Sequence, residues 1–401
     1  MSATPIVKTQ SKIAQRGDHL IASIRGTQPG PTLIILGSIH GNEPAGALAA
    51  HRVLAQFEER RSRLRGELVL LSGNTRALER KVRYIDADLN RLWTADNILS
   101  IKSGKSFYHE SSEHLEQREL LVEIDGALKR ARGEVFFVDL HTTSSPGTPF
   151  ATVGDTLRNR GFALNFPVTI VLGLEEQIDG TLLEHVNNLG LITMGLEAGQ
   201  HDAPSSIDNH EAVIWLATVA AGNLRCKDVP EFARYRSLLA RAAMGRRVVE
   251  VRYRHAISPA DKFKMAPGFT NFQAIRRGQI LAHDRDGEIA ARETGLVLLP
   301  LYQALGDDGF FLGRGVKKFW LSLSALLRRM KVSNYVHLLP GVRRDPLNKN
   351  LLIVNTRIAR ILPLQIFHLL GFRRRRWVGG HLIVSRRAHD LEGPARKSGL
   401  T

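Results

Sequence analysis

Cysteine is almost missing from this chain: Cys226 is the single one in 401 residues. One cysteine excludes an internal disulfide and any cysteine-based zinc cluster, and it fits a reducing compartment. Apolar runs long enough to form a transmembrane helix are also missing. The opening stretch MSATPIVKTQSKIAQRGDHL lacks the charged-then-apolar pattern of a secretory leader. These absences set the expectation of a soluble, cytoplasmic protein. There is neither a long internal repeat nor a low-complexity linker. With 43% hydrophobic residues the chain can bury a sizeable core, and its length suits two or three domains.

The charge is unevenly spread. The formal net charge is +17, but from Arg314 to Thr401 there are 19 Lys and Arg against Asp345, Asp390 and Glu392 alone. A near-neutral body is therefore joined to a strongly basic tail, and the two need separate explanations.

The body reads as α/β. Nearly continuous apolar runs recur at PTLIILG (31–37), GELVLLSGN (66–74), EVFFVDLH (134–141), FPVTIVLG (166–173) and GLITMGLEAG (190–199). Such runs suit strands buried on both faces. Helical patterns lie between them. One starts at Pro44, a residue suited to a first helical position, and another covers 113–132. Alternating strands and helices predict a mostly parallel mixed sheet with helices on both faces. After AAGNLRCKDVP the texture changes to a helix near 231–243 and then short strands with glycine turns. The expected division is 1–230 as an α/β catalytic domain, 231–314 as a small β-rich domain and 315–401 as a basic extension that opens on an amphipathic helix, KKFWLSLSALLRRMK.

Chemistry-bearing residues gather where the strands end. SIHGNE follows the first, HTTSS the third and EAGQH the last, with RYIDADLNR in the loop after the second. The carboxyl ends of strands in an open α/β sheet form the ligand crevice. His40 and Glu43, three residues apart in a tight turn, are both ordinary zinc-ligand types. A catalytic zinc takes three protein ligands, and the candidate for the third is His141 at the end of FFVDLH. The bland alternative is that His40 and Glu43 merely cap the next helix. Asp139 shares a strand face with His141 and is placed to orient a ligand or a substrate group. His201 and His210 read as structural, and His109 and His114 as solvent-facing. GFFLGRGVKK does not meet the P-loop pattern.

GSIHGNEPAG, RYIDADLNR, FFVDLHTTSS and MGLEAGQH, in this order, resemble the succinylglutamate desuccinylase/aspartoacylase family, a branch of the zinc carboxypeptidase-like fold. The resemblance covers about 30–315. It implies one zinc ion per subunit on His40, Glu43 and His141, with Glu197 as the catalytic glutamate. It further implies Arg83 polarising the scissile carbonyl, Asn90 and Arg91 holding a substrate carboxylate, and Tyr302 in LPLYQ touching the substrate. The implied activity is zinc-dependent hydrolysis of the amide bond of a small N-acyl amino acid or related N-acylated amine.

One departure bears on the substrate. Aspartoacylase-type members carry a further arginine shortly before the catalytic glutamate. Here no Lys or Arg occurs from Gly161 to Leu224, while Glu175, Glu176, Asp179, Glu184, Asp202, Asp208 and Glu211 do. The expectation is a substrate with one carboxylate and a neutral or cationic group in place of the second. Two other functions compete: a carboxypeptidase-like peptide hydrolase, and a binding protein with a vestigial zinc site. In the second of these the tail, with apolar stretches beside arginine clusters, would attach to an anionic membrane surface or to nucleic acid. The tail as a packed accessory domain is the plainest reading, and a homo-oligomer is compatible with the sequence.

Overall fold

The structure is a computed structural model, and it describes residues 12–13, 18–105, 110–243, 247–355, 364–378 and 381–394. His109 lies outside these residues. The chain forms two compact units, each drawn from two stretches of sequence: 1–142 with 195–242, and 143–194 with 243–401.

In the first unit the strands Gln28–Gly37, Arg65–Ser72 and Val135–Thr143 pair in parallel, with Gln28–Gly37 in the middle. Leu20–Arg25 adds antiparallel to the outer side of Arg65–Ser72, and Ile192–Gln200 is the neighbour of Val135–Thr143. Leu33, Ile34, Ile35, Leu36, Phe137 and Val138 are fully buried. Side chains of both parities are therefore covered, which is why the runs are continuous rather than alternating. The helix after the first strand is Ala45–Phe57, with Pro44 one place earlier than the sequence suggests, at the N-cap. The helix Ser112–Arg130 begins on a capping box made by Ser111 and His114. The helix Pro204–Ala220 buries Trp215, which stacks on Phe57 at 5.6 Å.

In the second unit the strands run side by side in the order Phe150–Val153, Thr169–Leu172, Val248–Ala256, Asp308–Gly315, Gly295–Leu298, Gln273–Ile275. The first three are parallel, and the rest are antiparallel. The α/β reading with a mixed sheet holds. A three-stranded sheet, Lys264–Met265, Ile280–Asp284 and Gly287–Ala290, completes the β-rich part.

The described residues of the basic extension are folded. After the helix Lys318–Arg329 come four antiparallel strands in the order Val342–Arg344, Leu351–Val354, His381–Arg386, Phe372–Val378. They close over Val336, Leu352, Val354, Phe367, Phe372 and Val384. The extension joins the rest of its unit through charge. Asp155 receives Arg160 at 2.6 and 2.9 Å and Arg328 at 2.9 Å, and it also accepts from Arg373. Glu250 meets His368 Nδ1 and Arg373 Nη1, both at 2.6 Å. Arg387 binds Glu176 at 2.9 Å, and Arg374 pairs with Asp179 and Glu184. Three acids of the arginine-free stretch, Glu176, Asp179 and Glu184, thus have partners in the tail, while Asp208 and Glu211 meet Arg52. The first three balance the tail and are no guide to a cationic substrate.

Candidate metal centre

The turn that carries His40 and Glu43 is built by close backbone approach. A Cβ on Gly37 would come within 2.4 Å of Ala47 N, and one on Gly41 within 2.2 Å of Ala77 C. Neither contact is tolerable, so the glycines let the strand end press against its neighbours. Ser38 adopts the left-handed conformation at φ 61, uncommon for a residue with a side chain. Its hydroxyl donates to Glu43 O at 3.0 Å and closes the turn. Gly41 N donates to Arg83 O at 3.0 Å, tying in the RYID loop.

His40, Glu43 and His141 come together, with one donor atom from each lying within 4.8 Å of the others. His40 Nδ1 is 2.8 Å from Glu43 Oε1, and His141 Nδ1 is 3.3 Å from Glu43 Oε2. The far ring nitrogens meet carboxylates: His40 Nε2 is 3.2 Å from Asp88 Oδ1, and His141 Nε2 is 3.0 Å from Asp139 Oδ2. Both imidazoles therefore turn Nδ1 toward Glu43 and back Nε2 with an acid. Metal-ligating histidines have this arrangement, because the outer carboxylate fixes the tautomer that frees the inner nitrogen. His210, on the helix Pro204–Ala220, donates from Nε2 to His141 O at 3.0 Å and so holds the strand end in place. Burial pushes its pKa down to about 4, so it stays neutral.

Charge is balanced around this triad. Burial opposes ionisation of Glu43, but His40 and His141 outweigh it and hold its pKa well below the usual range. Burial likewise opposes a charged His141, yet Asp139 and Glu43 raise its pKa well above the ordinary value. Asp88 is held ionised, against its burial, by His40, Arg83 and Arg91. Glu197 behaves differently. Burial, reinforced by Glu43 and Asp139 and opposed by His141 and Arg83, lifts its pKa to about 8. Its Oε2 is buried with no hydrogen-bond partner among the described residues. Such an orphaned oxygen beside a triad of donors fits a site that holds a cation and a water. The donor set His₂Glu with a free position is also a known catalytic zinc set.

Arg83 lies over the same cluster, with Nη2 2.9 Å from His40 Nε2 and 3.0 Å from Asp88 Oδ2. Nε2 of His40 accepts from Arg83 when Nδ1 carries the proton, and donates to Asp88 when Nδ1 is free. Asn90 is buried behind, its N–H donating to Asp88 Oδ1 at 2.9 Å, and Arg91 donates to Asn90 O at 3.1 Å. Tyr302 belongs to the other unit. Its hydroxyl donates to Ala266 O and accepts from Phe269 N, both at 2.8 Å. Those two bonds give it a local structural role. Asp88 escaped the sequence reading, although it lies inside RYIDADLNR and is the acid behind His40. Thr142 escaped it too: its N–H donates to Glu43 Oε2 at 2.8 Å, and its hydroxyl meets His201 at 2.7 Å.

A second group, His19, Glu116 and Glu119, also has donor-like spacing. There Arg76 bridges both glutamates at 2.7 and 2.9 Å, and Glu116 also accepts from Thr75 and Arg76 backbone N–H groups. Those oxygens are already used, so the group is an ion-pair knot.

A histidine–glutamate–histidine set at the strand ends of an α/β sheet, with a buried glutamate beside it, is the layout of a metal-dependent hydrolase. Residues 29–220 match the succinylglutamate desuccinylase/aspartoacylase catalytic domain. The chain is 31% identical over 178 residues to an N-acyl-aromatic-L-amino acid amidohydrolase (carboxylate-forming) of Xenopus tropicalis, covering 42% of this chain and 54% of that one. The counterpart in Xenopus laevis is 32% identical over 183 residues, covering 43% and 56%. The chain thus spans about half the length of these curated relatives. Among solved structures, the succinylglutamate desuccinylase/aspartoacylase of Rhodobacter sphaeroides superposes with a TM-score of 0.56 at 18% identity, covering 74% of this chain and 89% of that one. The ectoine utilization protein EutE (DoeB) of Ruegeria pomeroyi gives 0.54 at 19%, covering 74% and 88%. At such identities these two establish the fold alone.

Proposed function

We propose that this protein is a zinc-dependent amidohydrolase that removes the acyl group from a small N-acyl amino acid. The observation that carries the reading is the convergence of His40, Glu43 and His141, each imidazole backed by a carboxylate, beside the orphaned Glu197 oxygen. Zinc held by those three would supply Lewis acidity and make water nucleophilic near neutral pH.

The chain's own groups divide the remaining work. Glu197, buried beside the triad with one oxygen unpaired among the described residues, would take a proton from the attacking water and return it to the leaving amine. Arg83 presents a guanidinium held by Asp88, fixed where negative charge develops on the carbonyl oxygen. Asn90 and Arg91 hold the substrate carboxylate, with the arginine offering a two-pronged contact. The named activity of the Xenopus relatives, on N-acyl aromatic amino acids, supports a substrate with one carboxylate and an apolar side chain. Three of the acids behind the cationic alternative, Glu176, Asp179 and Glu184, face arginines of the tail, which favours the apolar reading.

The test is Glu197→Gln. Activity on N-acetyl aromatic amino acids should fall by roughly 10²–10⁴, the usual weight of general acid–base catalysis, with zinc content unchanged. Full activity in the variant, or a wild type that binds zinc and cleaves no acyl amide, would overturn the proposal. Preference for N-acetylaspartate would overturn only the substrate assignment.

A further inference from the structure

The helix Lys318–Arg329 carries apolar side chains on both sides. Inward, Leu327 packs on the core of the extension, Ser324 donates to Leu369 O at 2.7 Å, and Arg328, 2% exposed, binds Asp155. The outward side carries Phe319, Leu323, Leu326 and Met330, at spacings of four, three and four that define one helix face. Phe319, Leu326 and Met330 are 66%, 53% and 63% exposed, and Tyr335 and Leu338 beyond the helix are also exposed. Large apolar side chains gathered in this way mark an interaction surface. Lys317, Lys318, Arg329 and Lys331 are exposed along the same segment, and no Asp or Glu occurs between Gly315 and Arg344.

We propose that this face docks on an anionic lipid surface. The stripe Phe319–Leu323–Leu326–Met330 enters the boundary between headgroups and acyl chains, and the flanking lysines and arginine meet headgroup phosphates. Nucleic acid would use the cations and leave the apolar stripe without a function. A second copy of this chain would bring like charge against like charge across a two-fold contact. A pocket of about 340 Å³ lies beside the helix, lined by Arg314, Lys317 and Trp320 together with Glu250 and the already paired Arg160 and Arg373. It shares Lys317 and Trp320 with the helix, and its exposed cations are Arg314 and Lys317. No described helix is long and apolar enough to cross a membrane, so the contact is peripheral.

The experiment is sedimentation of the full-length protein with vesicles of phosphatidylcholine alone or mixed with phosphatidylserine, at low and moderate salt. Binding should require phosphatidylserine and weaken with salt. Phe319→Ser/Met330→Ser and Lys318→Glu/Arg329→Glu should each weaken it by roughly tenfold or more, because each removes part of the buried apolar area or of the charge attraction. Both pairs alter exposed side chains, so melting temperatures should be unchanged, which separates lost docking from lost folding. Absence of vesicle binding, or binding that neither variant weakens, would overturn the proposal. Retention on duplex DNA without vesicle binding would replace it with a nucleic-acid surface. A dimer abolished by Phe319→Ser/Met330→Ser, again without vesicle binding, would replace it with self-association.

Discussion

Asp155→Asn is the most revealing perturbation of the joint between the basic extension and the rest of its unit. The carboxylate is 1% exposed and is the shared anion for Arg160, Arg328 and Arg373. Its pKa lies well below the ordinary range because these arginines outweigh the penalty of burial. The amide keeps the shape but removes the charge, and it turns an N–H₂ toward guanidinium donors. At an effective dielectric of about 20, each ion pair near 4 Å separation is worth about 4 kcal/mol, and breaking a buried pair typically costs 3–5 kcal/mol. Partial opening of the joint lets the arginines rehydrate, so we expect a net loss of about 4 kcal/mol in the local stability of the extension. Hydrogen exchange at the amides of Leu351–Val354 and His381–Arg386 reads that local free energy directly. Adding Arg328→Met, which removes one surplus cation, should recover at least about 1 kcal/mol through coupling. A loss below about 1 kcal/mol for Asp155→Asn, or no recovery in the double variant, would refute the view that this carboxylate holds the joint.

Acid should loosen the same joint. His368 and Arg373 outweigh burial and bring Glu250 to a pKa of about 2. A depressed pKa means that the stabilisation is complete above the unfolded value near 4.5 and is lost as pH falls from there toward 2. The loss is on the order of 3 kcal/mol for this group, measurable by hydrogen exchange of the extension across the window. Arg374→Ala should cost only about 0.5 kcal/mol and lose its effect in high salt, because Asp179 is largely exposed, and salt-dependent melting checks this. Arg83→Lys should retain zinc yet lower kcat by roughly 10–100-fold, since the guanidinium reaches Asp88 Oδ2 through Nη2 and Glu43 Oε1 through Nη1, which a single ammonium cannot reproduce. Steady-state kinetics with metal analysis would show whether kcat or KM carries the change.

The triad was legible because its residues sit where continuous apolar runs stop, in GSIHGNE and FFVDLH, and the fold brings strand ends together. Asp88 was not, because a carboxylate in a loop has no signature until its partners are known. His40 and Arg83 lie 48 and 5 residues away from it along the chain. The strand Phe372–Val378 was hidden for a different reason. FRRRRW reads as a cluster of solvated charge, yet Phe372 is buried and Arg373 turns inward to Asp155 and Glu250. Arginine can take a core-facing strand position only when a carboxylate waits there, and no local pattern announces one.

The two charge anomalies of the sequence have one cause. A stretch without a single Lys or Arg and a tail rich in both look like separate clues, one to a substrate and one to a polyanion. Glu176, Asp179 and Glu184 lie about 200 residues before Arg374 and Arg387, and the fold sets them against each other. Each pair cancels part of both anomalies, and Asp155 and Glu250 withdraw Arg328 and Arg373 as well. An external partner at the tail therefore meets less positive charge than its 19 Lys and Arg against three acids imply. The salt dependence of any polyanion binding scales with the charges actually presented. It should be correspondingly shallow, and the apolar face of the helix Lys318–Arg329 then matters as much as the cations beside it.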